Sequence, residues 1–122
     1  MAVEINLDTR EVTPKTAVIS IKGYVQTKEA RELHRTLSEA DKQDVKRVIL
    51  DFTDVAYASS AALGLLVTYT NRKKEEEGAD AVAIVGLSAS IRNVLDTLGL
   101  LPLFLLCDSV DAAFEKLGVP AA

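Results

Sequence analysis

The stretch that decides the fold is Asp51–Leu66, "DFTDVAYASSAALGLL". It lies inside a chain that is 26% charged. Yet the seventeen residues from Val55 to Asn71 carry no charge at all. To its left "RVILDF", Arg47 to Phe52, reads as a buried strand, because Val48, Ile49 and Leu50 run together without alternating. To its right a helix is expected over Ser60–Glu77, with Gly78 beyond its end as a residue able to take positive φ. A strand, a short turn and a helix whose first two turns are "AALGLLV" form half of a strand–helix–strand unit. Such a helix is expected to be covered by core or sheet on most of its sides. Two adjacent serines, Ser59 and Ser60, stand at the junction.

Working outward, the same alternation recurs. "VEINLD", Val3–Asp8, has period two, and "AVISIK", Ala17–Lys22, repeats it, with Gly23 expected to end the second strand. From Thr27 the period becomes helical: Ala30, Leu33, Leu37 and Ala40 share one face, with Thr27 as the expected N-cap. "DAVAIVGL" gives another buried strand. "SASIRNVLDTLG" gives a helix with Ile91, Val94, Leu95 and Leu98 inward, and "LPLFLLC" is read as the last strand. "DSVDAAFEKLG" closes the chain as a helix with Val110, Ala113, Phe114 and Leu117 inward. The order ββαβαβαβα predicts an α/β fold, a mixed and mostly parallel sheet with about four helices and one antiparallel strand at the amino-terminal end. The 122 residues suit a single domain, 1–122.

Composition narrows the function. A net charge of -4 and a sequence pI near 5.0 give no attraction to phosphate backbones or anionic lipid, so neither nucleic acid nor membrane is expected as a partner. The charge-free run contains Ser59, Ser60, Thr68, Thr70 and Asn71, and is too short and polar to span a bilayer. "MAVEINLDTR" lacks the features of a secretion signal, so a cytoplasmic location is expected. One Cys and one His offer no metal constellation, and no cofactor is expected.

No enzyme is expected either. A serine hydrolase needs a His to activate its Ser, and His34 in "RELHRTL" reads as a solvated surface residue. The G-x-S-x-G turn is absent, and the glycines are scattered rather than gathered into a phosphate loop. A response-regulator receiver would need a Lys after the last strand, where this chain reads "LLCDSV". Cys107 lies in an apolar strand and reads as a small core residue. The chemistry left is that of Ser59 and Ser60 at a helix start. One of them is the natural N-cap, its oxygen accepting a backbone N–H. The other is placed where a phosphate, of charge about -1.5 to -2, would be tolerated by the helix. On an apolar face that same charge would oppose docking of a partner.

The residues also resemble a known family. The stretch from "VISIKGYVQTKEARELHRTL" through "RVILDFTDVAYASSAALGLLVTYTNRKK" to "SVDAAFEKL" looks like a STAS domain of the bacterial anti-sigma factor antagonist type. In that family a motif D-S-S-G-L-G or D-S-T-G-L-G opens the central helix, and its first Ser is phosphorylated by an anti-sigma kinase. Leu63 and Gly64 set the register, so the resemblance implies phosphorylation at Ser60, with Ser59 as second choice. Ser59 then takes the place of the Asp, Ala61 that of the second hydroxyl and Ala62 that of the Gly. A second family Asp, in G-x-L-D, is replaced by Gln26 in "GYVQ". The implied partner is an anti-sigma factor of the serine kinase type, bound through Gln26, Thr27, Ala58, Ser59, Ser60 and Ala61. A weak homodimer is the other association considered. The alternative is a STAS adaptor of a stressosome-like assembly or of a lipid-transport ABC system, without sigma-factor control.

Overall fold

The computed structural model describes residues 3–120, so Met1, Ala2, Ala121 and Ala122 of the expected 1–122 domain lie outside the described residues. The elements are β1 (Glu4–Arg10), β2 (Thr16–Val25), α1 (Thr27–Lys42), β3 (Arg47–Ala58), α2 (Ser60–Glu77), β4 (Val82–Val85), α3 (Ala89–Thr97), β5 (Leu105–Cys107) and α4 (Val110–Leu117). The five strands form one sheet in the order β1-β2-β3-β4-β5. β1 runs antiparallel to β2 and the remaining pairs are parallel, as the alternation of elements predicts.

Residues of opposite parity along the strands build two cores. Ala17, Ile19, Val48, Leu50, Val82 and Ile84 point to one face and pack with Leu33 and Leu37 of α1, Leu63 and Leu66 of α2, and Ile91 and Leu95 of α3. Val18, Ile49, Ala83, Val85 and Cys107 point to the other and meet Ala113, Phe114 and Leu117 of α4. Val110 of α4 is only half-buried. Three helices thus cover one face and one the other, as sheets buried on both sides require.

Four boundaries differ from expectation, each for a physical reason. β3 does not turn after Phe52; it continues to Ala58 beside β2, which itself passes through Gly23 to Val25. Between Ser20 and Lys22, and again between Gly23 and Tyr24, the pairing slips by one residue, each time with the extra residue on β3. Gly23, at φ 102°, makes this passage possible. Thr27 is the first helical residue of α1 rather than its cap; Gln26 is the N-cap, and its N–H donates to Glu29 Oε1 at 3.2 Å. The stretch before β5 begins as a 3-10 turn over Leu101–Leu103, because Pro102 has no N–H to give a ladder.

Candidate functional site

The parallel pairing of β2 and β3 sets Val25 directly against Ala58. Each strand is followed at once by a helix, so the starts of α1 and α2 lie side by side at the carboxyl ends of the strands. Ser59 ties the two together: its N–H donates to the Val25 carbonyl at 2.8 Å. Its hydroxyl accepts the Ala62 N–H at 3.1 Å, the bond of an N-cap, and the residue is buried. Ser60, the first helical residue, is exposed. The two serines have therefore divided the work: one is consumed by the helix start and the other faces solvent in the first turn of the helix.

The remaining expected residues gather around them. Gln26 and Thr27 are exposed at the start of α1, Ala61 is exposed beside Ser60, and Ala58 is half-buried. Tyr24, Gln26, Thr27, Lys28, Tyr57 and Ser59 line an open groove of about 500 Å3. Tyr24 and Tyr57 form its aromatic wall, their rings 6.4 Å apart and tilted.

Sequence periodicity placed Val94 and Leu98 inward with Ile91 and Leu95. The structure corrects this: Ile91 and Leu95 are buried, whereas Val94 is 47% and Leu98 63% exposed. The apolar stripe of α3 is wider than the surface it covers. Val94 and Ser90 border a small apolar hollow shared with Tyr57, Ala58 and Leu63, which carries the apolar surface from the serine junction onto α3. Tyr24, Tyr57, Val94 and Leu98 were thus missed as surface residues, although the two tyrosines stood next to positions already singled out.

The charge-free run is likewise only half buried. Ala62, Leu63, Leu66, Tyr69 and Thr70 face the core, while Ser60, Ala61, Gly64 and Thr68 are exposed and uncharged. Coverage on most sides of the first two turns is therefore not what the structure shows; one side of α2 is a neutral outer surface continuous with the junction.

The candidates set aside also have places. His34 is exposed on α1. Cys107 is buried in the smaller core, and burial pushes its thiol pKa up, which suits a packing residue. Among the described residues no group of three or more His, Cys, Asp and Glu could hold a metal ion, and no helix is long and apolar enough to cross a membrane.

Comparisons with known proteins fit this architecture. No curated protein matches the sequence. Among solved structures, an anti-sigma factor antagonist from Mycobacterium paratuberculosis superposes with a TM-score of 0.81 at 17% identity, over 96% of this chain and 95% of that one. The Bacillus cell fate determinant SpoIIAA in its phosphorylated form gives 0.69 at 22% identity, over 94% of this chain and 98% of that one. SpoIIAA in its unphosphorylated form gives 0.70 at 19%, over 96% and 98%. At such identities the likeness is one of fold. The sequence itself matches the STAS domain model over residues 8–113, from β1 into α4. With nearly every element inside that match, the chain belongs to the STAS domain family.

Proposed function

We propose that this STAS domain is an anti-sigma factor antagonist that docks, through the face around Ser60, onto an anti-sigma factor of the serine kinase type, and that phosphate on Ser60 undoes the complex. The observation that carries the reading is the division between the serines. Ser59 is buried and capped into α2, while Ser60 is exposed at the first helical position. A kinase reaching this junction meets the Ser60 hydroxyl without disturbing a cap. Modifying Ser59 would require breaking its bond to the Ala62 N–H.

The surroundings support a switch. A phosphate on Ser60 would lie at a helix start, where N–H groups and dipole favour negative charge, so α2 would survive modification. The partner, in contrast, would have to cover a dianion on a surface of Tyr57, Ala61, Gly64 and Val94, and desolvating that charge is costly. SpoIIAA, which shares the fold, exists in both phosphorylated and unphosphorylated forms. The proposal requires no catalysis by this chain.

The test combines phosphopeptide analysis of the protein from its host with binding to the kinase-type anti-sigma factors encoded there. Phosphate is expected on Ser60. Ser60→Ala is expected to bind such a partner, and Ser60→Asp to bind at least about tenfold more weakly while melting normally. Binding by neither the unmodified protein nor Ser60→Ala would sink the reading.

A second reading has one observation in its favour: Gln26 and Ser59 stand at the two positions where the resemblance implies Asp. That substitution suits a STAS adaptor in a larger assembly. Co-purification with a transport ATPase or a multi-subunit scaffold, and no phosphate on Ser60, would select it.

A further inference from the structure

The two edges of the sheet are built differently. β5 is three residues long and preceded by the Pro102 turn, which blunts it. β1 pairs with β2 without a slip from Glu4 to Arg10 and contains no Pro. It ends the strand order, so among the described residues its far side is an open edge.

Which backbone groups face that edge follows from hydrogen-bond parity. The Lys15 carbonyl accepts the Arg47 N–H, so odd residues at the start of β2 turn toward β3 and even ones toward β1. Thr16, Val18 and Ser20 are register partners of Arg10, Asp8 and Asn6. In β1 the even residues are therefore engaged, and Ile5, Leu7 and Thr9 present N–H and C=O to the open edge. The same odd residues carry half-buried side chains on the α1 side, where Ile5 and Leu7 line a groove with Arg35, Thr36 and Glu39.

We propose that this edge pairs with β1 of a second copy of the chain, antiparallel about a two-fold axis at Leu7, extending the sheet across both molecules. The strand complements itself in that register. Leu7 meets Leu7, Ile5 meets Thr9, and Glu4 comes opposite Arg10 of the other copy on the face where non-bonded pairs approach most closely. Arg10 is held in place for this by Asp8 at 2.7 Å and by the Phe114 ring, 5.4 Å from its guanidinium. Glu4 would bring a carboxylate toward that guanidinium, opposite in charge to it. About six backbone hydrogen bonds would close the seam. The contact is narrow, so the dimer is weak and concentration-dependent. β3, which carries Ser59 at its end, is two strands away, and the docking face stays free. This inference is independent of the function proposed above.

The unmodified protein supplies the first test. Across a concentration series to about 1 mM, sedimentation is expected to show a monomer–dimer equilibrium. Amide exchange is expected to slow with concentration at Ile5, Leu7 and Thr9, while Asn6 and Asp8 are already protected. Charge reversal then tests the register. Glu4→Arg alone or Arg10→Glu alone places like charges opposite each other and is expected to weaken self-association about 10- to 30-fold. Mixing the two variants restores opposite charges at both sites and is expected to restore a dimer. A monomer throughout the series would overturn the proposal, as would self-association that protects the Tyr57 and Val94 surface instead. Protection of Ile5, Leu7 and Thr9 appearing only with a foreign protein, and never with concentration, would assign the edge to another strand and overturn it equally.

Discussion

The two ends of α2 are built on opposite principles. From Ser60 to Val67 the helix has no charge, holds itself by Ala62, Leu63 and Leu66, and turns Ser60, Ala61 and Gly64 outward. From Tyr69 to Glu77 it is held by a polar clasp centred on Asp41 at the end of α1. The Lys73 ammonium, only 3% exposed as a residue, donates to Asp41 Oδ1 at 3.1 Å and to the Val45 carbonyl at 2.6 Å. The Tyr69 hydroxyl donates to Asp41 at 3.2 Å, and Arg72 reaches its other oxygen at 2.6 Å while stacking over the Tyr69 ring. The difference teaches how a helix can be fixed firmly and still offer a neutral surface. Directional charge contacts hold the carboxyl-terminal half, and the amino-terminal end, where docking is proposed, is left with groups that are cheap to desolvate.

Breaking what both ends share should have the largest effect. Leu66 is 2% exposed between them. Leu66→Asp removes its packing and buries an unpaired carboxyl, for an expected loss of about 4 kcal/mol or more, read as a fall in Tm or as failure to fold. An unchanged Tm would show that the buried face of α2 lies elsewhere.

Breaking the clasp alone should rank next. Asp41→Ala strands the buried Lys73 ammonium with one carbonyl partner and takes the acceptor from Tyr69. Since Asp41 itself is about a quarter exposed, at 28%, the expected loss is about 2–3 kcal/mol, less than for a fully buried pair. Partner binding at the Ser60 end should be unaffected once the protein is folded. The clasp also sets an acid limit. Burial raises the Asp41 pKa, but hydrogen bonds and charge from Arg72 and Lys73 more than offset it, so the group titrates below its ordinary 3.8. A carboxyl lowered by folding contributes its full stability above that ordinary value and loses it as pH falls through the folded one. Unfolding curves of the protein and of Asp41→Asn should therefore converge below pH 3.8 and separate above it. Parallel curves would remove Asp41 as the cause.

These contrasts were unevenly legible in the sequence. The element order, both faces of the sheet and the span of α2 followed from periodicity, since Val48–Leu50 and Ala30–Leu33–Leu37 keep their period in the fold. The last six residues of β3 did not, because the two slips against β2 put Phe52 and Val55 three apart on the buried side and hide the alternation. Val94 and Leu98 could not be told from core residues, since helical spacing says how wide a stripe is and not how much of it a neighbour covers. The clasp left no signal: Asp41 and Lys73 are 32 residues apart and meet only when α1 and α2 pack. At the site, a capping serine beside a free one was readable, but the aromatic wall of Tyr24 and Tyr57 depended on the pairing of two strand ends.

The Ser60 end, where docking is proposed, can be weakened without touching the clasp. Ser59→Ala removes the cap bond to Ala62 while leaving the Ser60 hydroxyl in place, for an expected loss of about 1 kcal/mol in chemical denaturation. If Ser60 is the group a partner meets, affinity should hold. A drop in affinity with intact stability would instead give Ser59 a direct role at the interface.

The smallest change in stability should come from Gly64→Ala, and it separates stability from docking most cleanly. Gly64 is exposed in the interior of α2, and a Cβ there would meet nothing within 4 Å. Alanine restricts the unfolded chain and favours helix, so the variant should be more stable by about 0.5–1 kcal/mol. The same methyl group would stand one turn beyond Ser60 on the neutral surface. If the partner lies along the start of α2, closely enough to need a glycine there, affinity should fall while Tm rises. Opposite movements of the two readouts would assign Gly64 to the interface, since a stabilising change outside it gives no reason for affinity to fall. Affinity unchanged on a stabilised helix would confine docking to the strand ends and the junction at Ser60, with Tyr24, Gln26 and Tyr57 as its floor.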